Sequence, residues 1–86
     1  MKATLVAGVF LAGMACGDRA SVVERLSEKY GESQVAAEMI DPLTVGEVWA
    51  SSETGSWSVL VTSAEGRTCL VKAGGGWFEV PASIRI

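Results

Sequence analysis

The stretch EVWASSETGSWSVLVTSAEGRTCLVKA, residues 47–73, holds three short runs rich in Val, Thr and Trp, separated by SETG and AEG. β-Branched and aromatic residues suit a pleated, half-buried surface, and the separators have the length and chemistry of hairpin turns. EVWAS, SWSVLVTS and RTCLVKA are therefore expected to form a three-stranded antiparallel meander. In the middle run Trp57, Val59 and Val61 alternate with Ser58, Leu60 and Thr62. The Trp57 side is the more apolar, and a helix is expected to rest on it.

Upstream, GDRASVVERLSEKYGE, residues 17–32, has helical spacing. Asp18 is a good N-cap and Gly31 a good C-terminal stop, which predicts a helix from about Arg19 to Tyr30. Val22, Val23, Leu26 and Tyr30 make one apolar stripe, while Glu24, Arg25, Glu28 and Lys29 face water. SQVAAEMIDPLTVG, residues 33–46, is ambiguous. Its first half contains helix formers, whereas the strands that follow could recruit Val35 and Ile40, and Asp41-Pro42 ends any regular element. Downstream, the glycines of AGGGWFEV are read as a bulge or wide turn that lets WFEV return as a short edge strand. An anion-cradling nest is the alternative, but no lysine-serine pair follows as a phosphate loop requires. Pro81 closes the regular structure, leaving ASIRI as a tail.

The fold class expected from these elements is α+β: one N-terminal helix on a small three- to four-stranded antiparallel meander. With 86 residues the chain has room for one hydrophobic core. Met1-Lys2 followed by the apolar run ATLVAGVFLAGMA reads as an export signal. The run is too short to span a bilayer, which takes about 20 apolar residues. Small residues permit a cut before Cys16 or before Asp18, and the alternative to cleavage is an uncleaved membrane anchor or a buried N-terminal strand. The first cut defines a signal over residues 1–15 and a domain over residues 16–86, and it places the protein in the periplasm or outside the cell.

Composition narrows the chemistry. Seven basic against ten acidic residues give a net charge of −3, which argues against tracking nucleic-acid phosphates. The chain contains no histidine, and so lacks the commonest general base and metal ligand. Two cysteines without a CxxC or ExxH spacing do not point to a metal site or a catalytic thiol, and no cofactor is expected. The carboxylate pairs Glu24/Glu28 and Glu47/Glu53 lack an enclosing aromatic pocket, and serine has neither a GxSxG elbow nor a base. No catalytic residue is assigned. Trp49, Trp57 and Trp77 each sit in or beside a strand. There an indole either fills the core or, if two are exposed together, forms a binding surface for a sugar or a protein.

The order CGDRASVVERLSEKYGE, then EVWASSETGSWSVLVTSAEGRTCLVKAGGGW, resembles a group of short exported, uncharacterised proteins of alphaproteobacterial and phage type. Members have a signal peptide, a cysteine before a helix ending in Tyr-Gly-Glu, and a strand-rich half. That half carries Gly-x-Trp-(Ser/Thr) and Gly-x-x-Cys steps, matched here at residues 55–58 and 66–69. The similarity covers residues 16–78 and departs most between Val35 and Val45.

The resemblance implies a disulfide from Cys16 to Cys69, which would pin the helix over the sheet. It implies no activity, ligand or partner. A lipoprotein is the competing reading, with Cys16 acylated, although Gly13 stands where a lipobox has leucine and Leu11 falls two residues early. The expected function is a non-enzymatic interaction module of the cell envelope whose partner is a protein or glycan. An acylated envelope lipoprotein is one alternative. The other is an inhibitor of an envelope hydrolase that presents SETG or AGGGW to a cleft.

Overall fold

The computed structural model describes residues 15–78. Apart from Ala15, the expected signal segment lies outside them, as does the tail after Pro81. The elements are β1 (Ala15–Asp18), α1 (Arg19–Tyr30), β2 (Ser33–Asp41), β3 (Thr44–Ala50), β4 (Trp57–Ser63) and β5 (Arg67–Gly74). The strands form one sheet in the order β1-β5-β4-β3-β2, with every neighbouring pair antiparallel. β2 to β5 run up and down in sequence, and α1 carries the chain from β1 at one edge to β2 at the other.

This corrects the expected helix on a three- to four-stranded meander: the protein is mostly β, a five-stranded antiparallel sheet with one short helix. The two additional strands come from places that local pattern does not mark. Ala15–Asp18 lies where the expected export signal would end, yet it pairs with Arg67–Leu70 and so covers half of the β5 edge. Ser33–Asp41 contains helix formers, but β3 offers it a ladder from Ser33↔Ala50 to Asp41↔Thr44. A full ladder outweighs propensities of tenths of a kcal/mol per residue. Register shifts at Gln34/Ala36 and Met39/Asp41 bulge this strand. The Pro42-Leu43 turn is held by the Leu43 N–H donating to Asp41 Oδ1 at 2.8 Å. The fourth strand expected from WFEV is not formed by Trp77 and Phe78, and the remainder of that stretch lies outside the described residues.

The helix forms where the capping residues place it. Asp18 Oδ2 accepts from the Ser21 N–H at 3.1 Å, and the Ser21 hydroxyl donates to Oδ1 at 2.8 Å. At the other end Gly31 adopts φ +66°, a left-handed conformation that glycine takes without Cβ strain. The N–H groups of Gly31 and Glu32 then close back on Ser27 and Leu26.

Which face α1 covers is a second correction. Strand pairing puts Glu47, Leu60 and Leu70 on one face, with Thr62, Thr68, Trp49 and Ser58. α1 lies over this face: Arg19 reaches Glu47, and a Cβ on Gly17 would sit 3.7 Å from Val22. The more apolar set, Trp57, Val59 and Val61, projects from the opposite face. Hydrophobic contrast did not choose the helix side, because the covered face contains an ion pair that fixes the helix start. Among the described residues the buried apolar side chains are Leu26, Ala50 and Leu60, against buried Glu32, Glu47, Ser51, Ser58, Thr62 and Thr68. So polar a core is stable only where its groups find partners.

The Cys16–Cys69 disulfide is present, with 53 residues of sequence separation. It joins directly opposed residues of β1 and β5 on the face away from α1. It therefore fastens an edge strand to the sheet rather than the helix over it, and acts on α1 only through the chain that follows Asp18. Replacing both cysteines by serine is expected to cost about 2–4 kcal/mol in urea unfolding. Wild type under reductant should show the same loss. A second expectation concerns Gly74, where an added Cβ would lie 2.6 Å from the Trp57 ring. Gly74→Ala must displace the indole and break its 3.0 Å bond from Nε1 to the Gly75 carbonyl. The result should be red-shifted tryptophan emission and a loss of about 1–3 kcal/mol.

Candidate functional site

Two polar centres lie on the covered face, and they differ in completeness. The first surrounds Glu47, which is 3% exposed. Arg19 grips it side-on through one edge of its guanidinium, Nε to Oε2 at 2.9 Å and Nη2 to Oε1 at 2.8 Å. Gln34 Nε2 and Trp49 Nε1 each donate to Oε1 at 2.9 Å. Thr62 Oγ1 reaches Oε2 at 3.4 Å and shares a 2.7 Å hydrogen bond with Thr68. This arrangement ties α1, β2, β3 and β4 to one carboxylate. The hydrogen bonds from Arg19 do most to hold its pKa at about 2 instead of 4.5, burial opposes them, and Trp49 and Gln34 lower it further. Both oxygens of the Glu47 carboxylate are already partnered within the fold, so the centre is structural.

The second centre is a groove of about 440 Å³ between α1 and strands β1, β4 and β5. Val22, Leu26 and Tyr30 line the helix side, while Leu70, Ala73 and Ser58 line the sheet side. Arg25 and Lys29, both exposed, stand along the lip. Glu32 lies at the end nearest Gly74, 4% exposed. Its Oε2 accepts from the Ser56 hydroxyl at 2.8 Å, whereas Oε1 is buried without a hydrogen-bond partner. Burying a carboxylate oxygen without a donor is costly, so an orphan of this kind points to a group that completes it. The backbone is also incomplete here. β1 covers β5 only from Arg67 to Leu70, and among the described residues Val71–Gly74 have no strand on that side. The groove can therefore bury apolar surface, exchange backbone hydrogen bonds and receive one donor at Glu32.

The tryptophans do not form a common platform. Trp49 and Trp57 project from opposite faces of the sheet, one donating to Glu47 and the other to Gly75. Trp77 is half-buried, and its backbone N–H donates to the Gly55 carbonyl at 2.8 Å. Glu24 and Glu28 are exposed on the helix, while Glu47 is buried and Glu53 exposed. No group of three or more His, Cys, Asp or Glu among the described residues is placed to hold a metal, and no described helix is long and apolar enough to cross a membrane.

Sequence reasoning missed Glu32 and Arg19. Glu32 follows the left-handed cap at Gly31, a position from which the chain turns back toward its own helix, and that is the signal by which it could have been found. Arg19 has no such mark, since its partner is 28 residues away. No protein-family profile, curated protein or solved structure matches this chain.

The Glu47 centre makes stability depend on acid. Because its folded pKa lies below the ordinary 4.5, the stabilisation is complete above that value and is lost as pH falls toward 2. Urea midpoints measured from pH 6 to pH 2 should fall in this window. Glu47→Gln, which faces its donors with an amide, should already lose about 2 kcal/mol or more at pH 6 and show a flatter profile.

Proposed function

We propose that this chain is a small, non-enzymatic interaction module of the cell envelope, exported and disulfide-bonded, that takes a protein partner in the groove between α1 and β5. The observation that carries the reading is the buried, unpartnered oxygen of Glu32 at the end of an open apolar groove. The fold satisfies its other buried side-chain oxygens and nitrogens among the described residues, and this exception is what supports a second molecule at the groove.

The disulfide supports an oxidising destination. It also favours signal cleavage before Cys16, since a cut before Asp18 would discard the bond. A protein partner is favoured over a glycan because Trp49 and Trp57, the rings best suited to stack on a sugar, lie on opposite faces with their N–H groups engaged. Acylation of Cys16 would require a free thiol, and its sulfur is bonded to Cys69. An inhibitor loop at SETG would have to keep the conformation that Ser51 imposes, because its hydroxyl accepts from the Glu53 and Thr54 N–H groups.

The test is capture from an envelope extract by the full chain and by Ala73→Trp, which fills the groove from the sheet side. Recovery of a protein by the first and not the second is expected. Equal recovery by both, or recovery of nothing by either, would remove the groove from consideration.

A further inference from the structure

We infer that the groove's partner is an extended peptide segment that adds a strand to β5 at Val71–Gly74, where no strand covers its edge among the described residues, and presents a lysine or arginine to Glu32. The inference rests on the reading of the groove as a binding site and names the chemistry of its occupant.

Three observations converge. An uncovered strand edge offers alternating N–H and C=O groups that a second extended chain satisfies without a particular sequence. On β5 this edge begins where β1 stops, at Leu70. Next, the wall and floor match an extended segment in length. The helix residues lining the groove run from Ser21 to Tyr30, or about 13 Å at 1.5 Å per residue, room for about four extended residues at 3.3 Å each. Apolar side chains on one face of such a segment would meet Val22, Leu26 and Leu70. Finally, the groove ends on a carboxylate that is 4% exposed and has one oxygen unpartnered. A cationic side chain is the complement that offsets such burial most, because it supplies both a donor and an opposite charge. Arg25 and Lys29 are exposed at the lip, where solvent screens their charges.

The opposite edge of the sheet is a poorer acceptor. β2 is exposed along all nine residues, but two register shifts interrupt its ladder, it carries Glu38 and Asp41, and no helix walls it. Bulges protect an edge from added strands, and β5 has one register shift of its own at Val71, so the helix wall and the Glu32 carboxylate, rather than a regular ladder, favour its edge.

The experiment titrates isotope-labelled full-length protein with three end-blocked peptides of one alternating valine-threonine sequence. The first carries a lysine at its centre, the second a glutamate there, and the third the lysine with N-methylated backbone amides. The lysine peptide is expected to shift the amide resonances of Val71–Gly74 and of α1. Exchanging lysine for glutamate should weaken binding about tenfold, as should Glu32→Gln with the lysine peptide. N-methylation should abolish binding by removing the ladder donors. If Glu32→Gln does not fold by its amide spectrum, the glutamate peptide reads the same pairing on unaltered protein. Equal affinity of the lysine and glutamate peptides, or undiminished binding of the N-methylated one, would overturn strand addition with a basic anchor. Shifts confined to β2 would overturn it as well. If no peptide binds while Ala73→Trp still abolishes capture of an envelope protein, this inference fails and the groove reading stands; if capture is also unaffected, both fail.

Discussion

The Glu47 carboxylate is the constraint on which the arrangement of this small protein depends. It is buried in a sheet whose covered face holds few large apolar side chains, and it is compensated by donors from α1, β2, β3 and β4. Removing one donor does not merely delete a contact; it leaves part of a buried charge uncompensated. Arg19 must lie at the start of the helix, Gln34 at the start of β2 and Trp49 two residues along β3 for the centre to close. The edge-to-edge crossing of α1 and the register of β2 on β3 therefore follow from a single satisfied charge. So does the choice of helix face, which hydrophobic patterning assigned to the Trp57 side.

The disulfide works on a different part of the molecule. β1 has only four residues and sits at the sheet edge, where a short strand is marginal by itself. Bonding Cys16 to Cys69 holds it against β5, and Asp18, the last residue of β1, then caps α1. The helix is thus fixed at its beginning by a covalent bond and a cap, and near its end by Leu26 and the turn at Gly31. Between these points it meets the sheet loosely enough to leave the groove. A complete Glu47 centre beside an incomplete Glu32 centre separates what holds the fold from what is open to another molecule.

Much of this was legible in sequence where the signal is local. The helix bounds followed from Asp18 and Gly31, because capping involves atoms a few residues apart. The meander of β3, β4 and β5 followed from alternation and from the SETG and AEG turns, which have the same local character. β1 and β2 were not legible. The apolar, small-residue composition before Cys16 reads as a cleavage region, and the Ala- and Glu-containing run after Ser33 reads as readily as helix. What makes them strands is the unpaired edge each finds on β5 or β3, and an edge exists only after the meander has formed. The Cys16–Cys69 pairing was implied by resemblance rather than by local pattern, and its mechanical role was misread because Cys16 was placed before the helix and not in an edge strand paired with β5.

The sequence by itself determined the helix and the β3–β5 meander, the scarcity of catalytic side chains and the presence of two cysteines able to pair. Only the tertiary structure decided which face the helix covers, which acidic residue is neutralised within the fold and which is left with an unpartnered oxygen. Glu47 and Glu32 look alike in the chain. They part company because Arg19, Gln34 and Trp49 converge on Glu47, whereas Ser56 alone reaches Glu32. Such convergence depends on contacts across 28 residues at Arg19–Glu47 and 24 at Glu32–Ser56, distances over which periodicity and propensity carry no information.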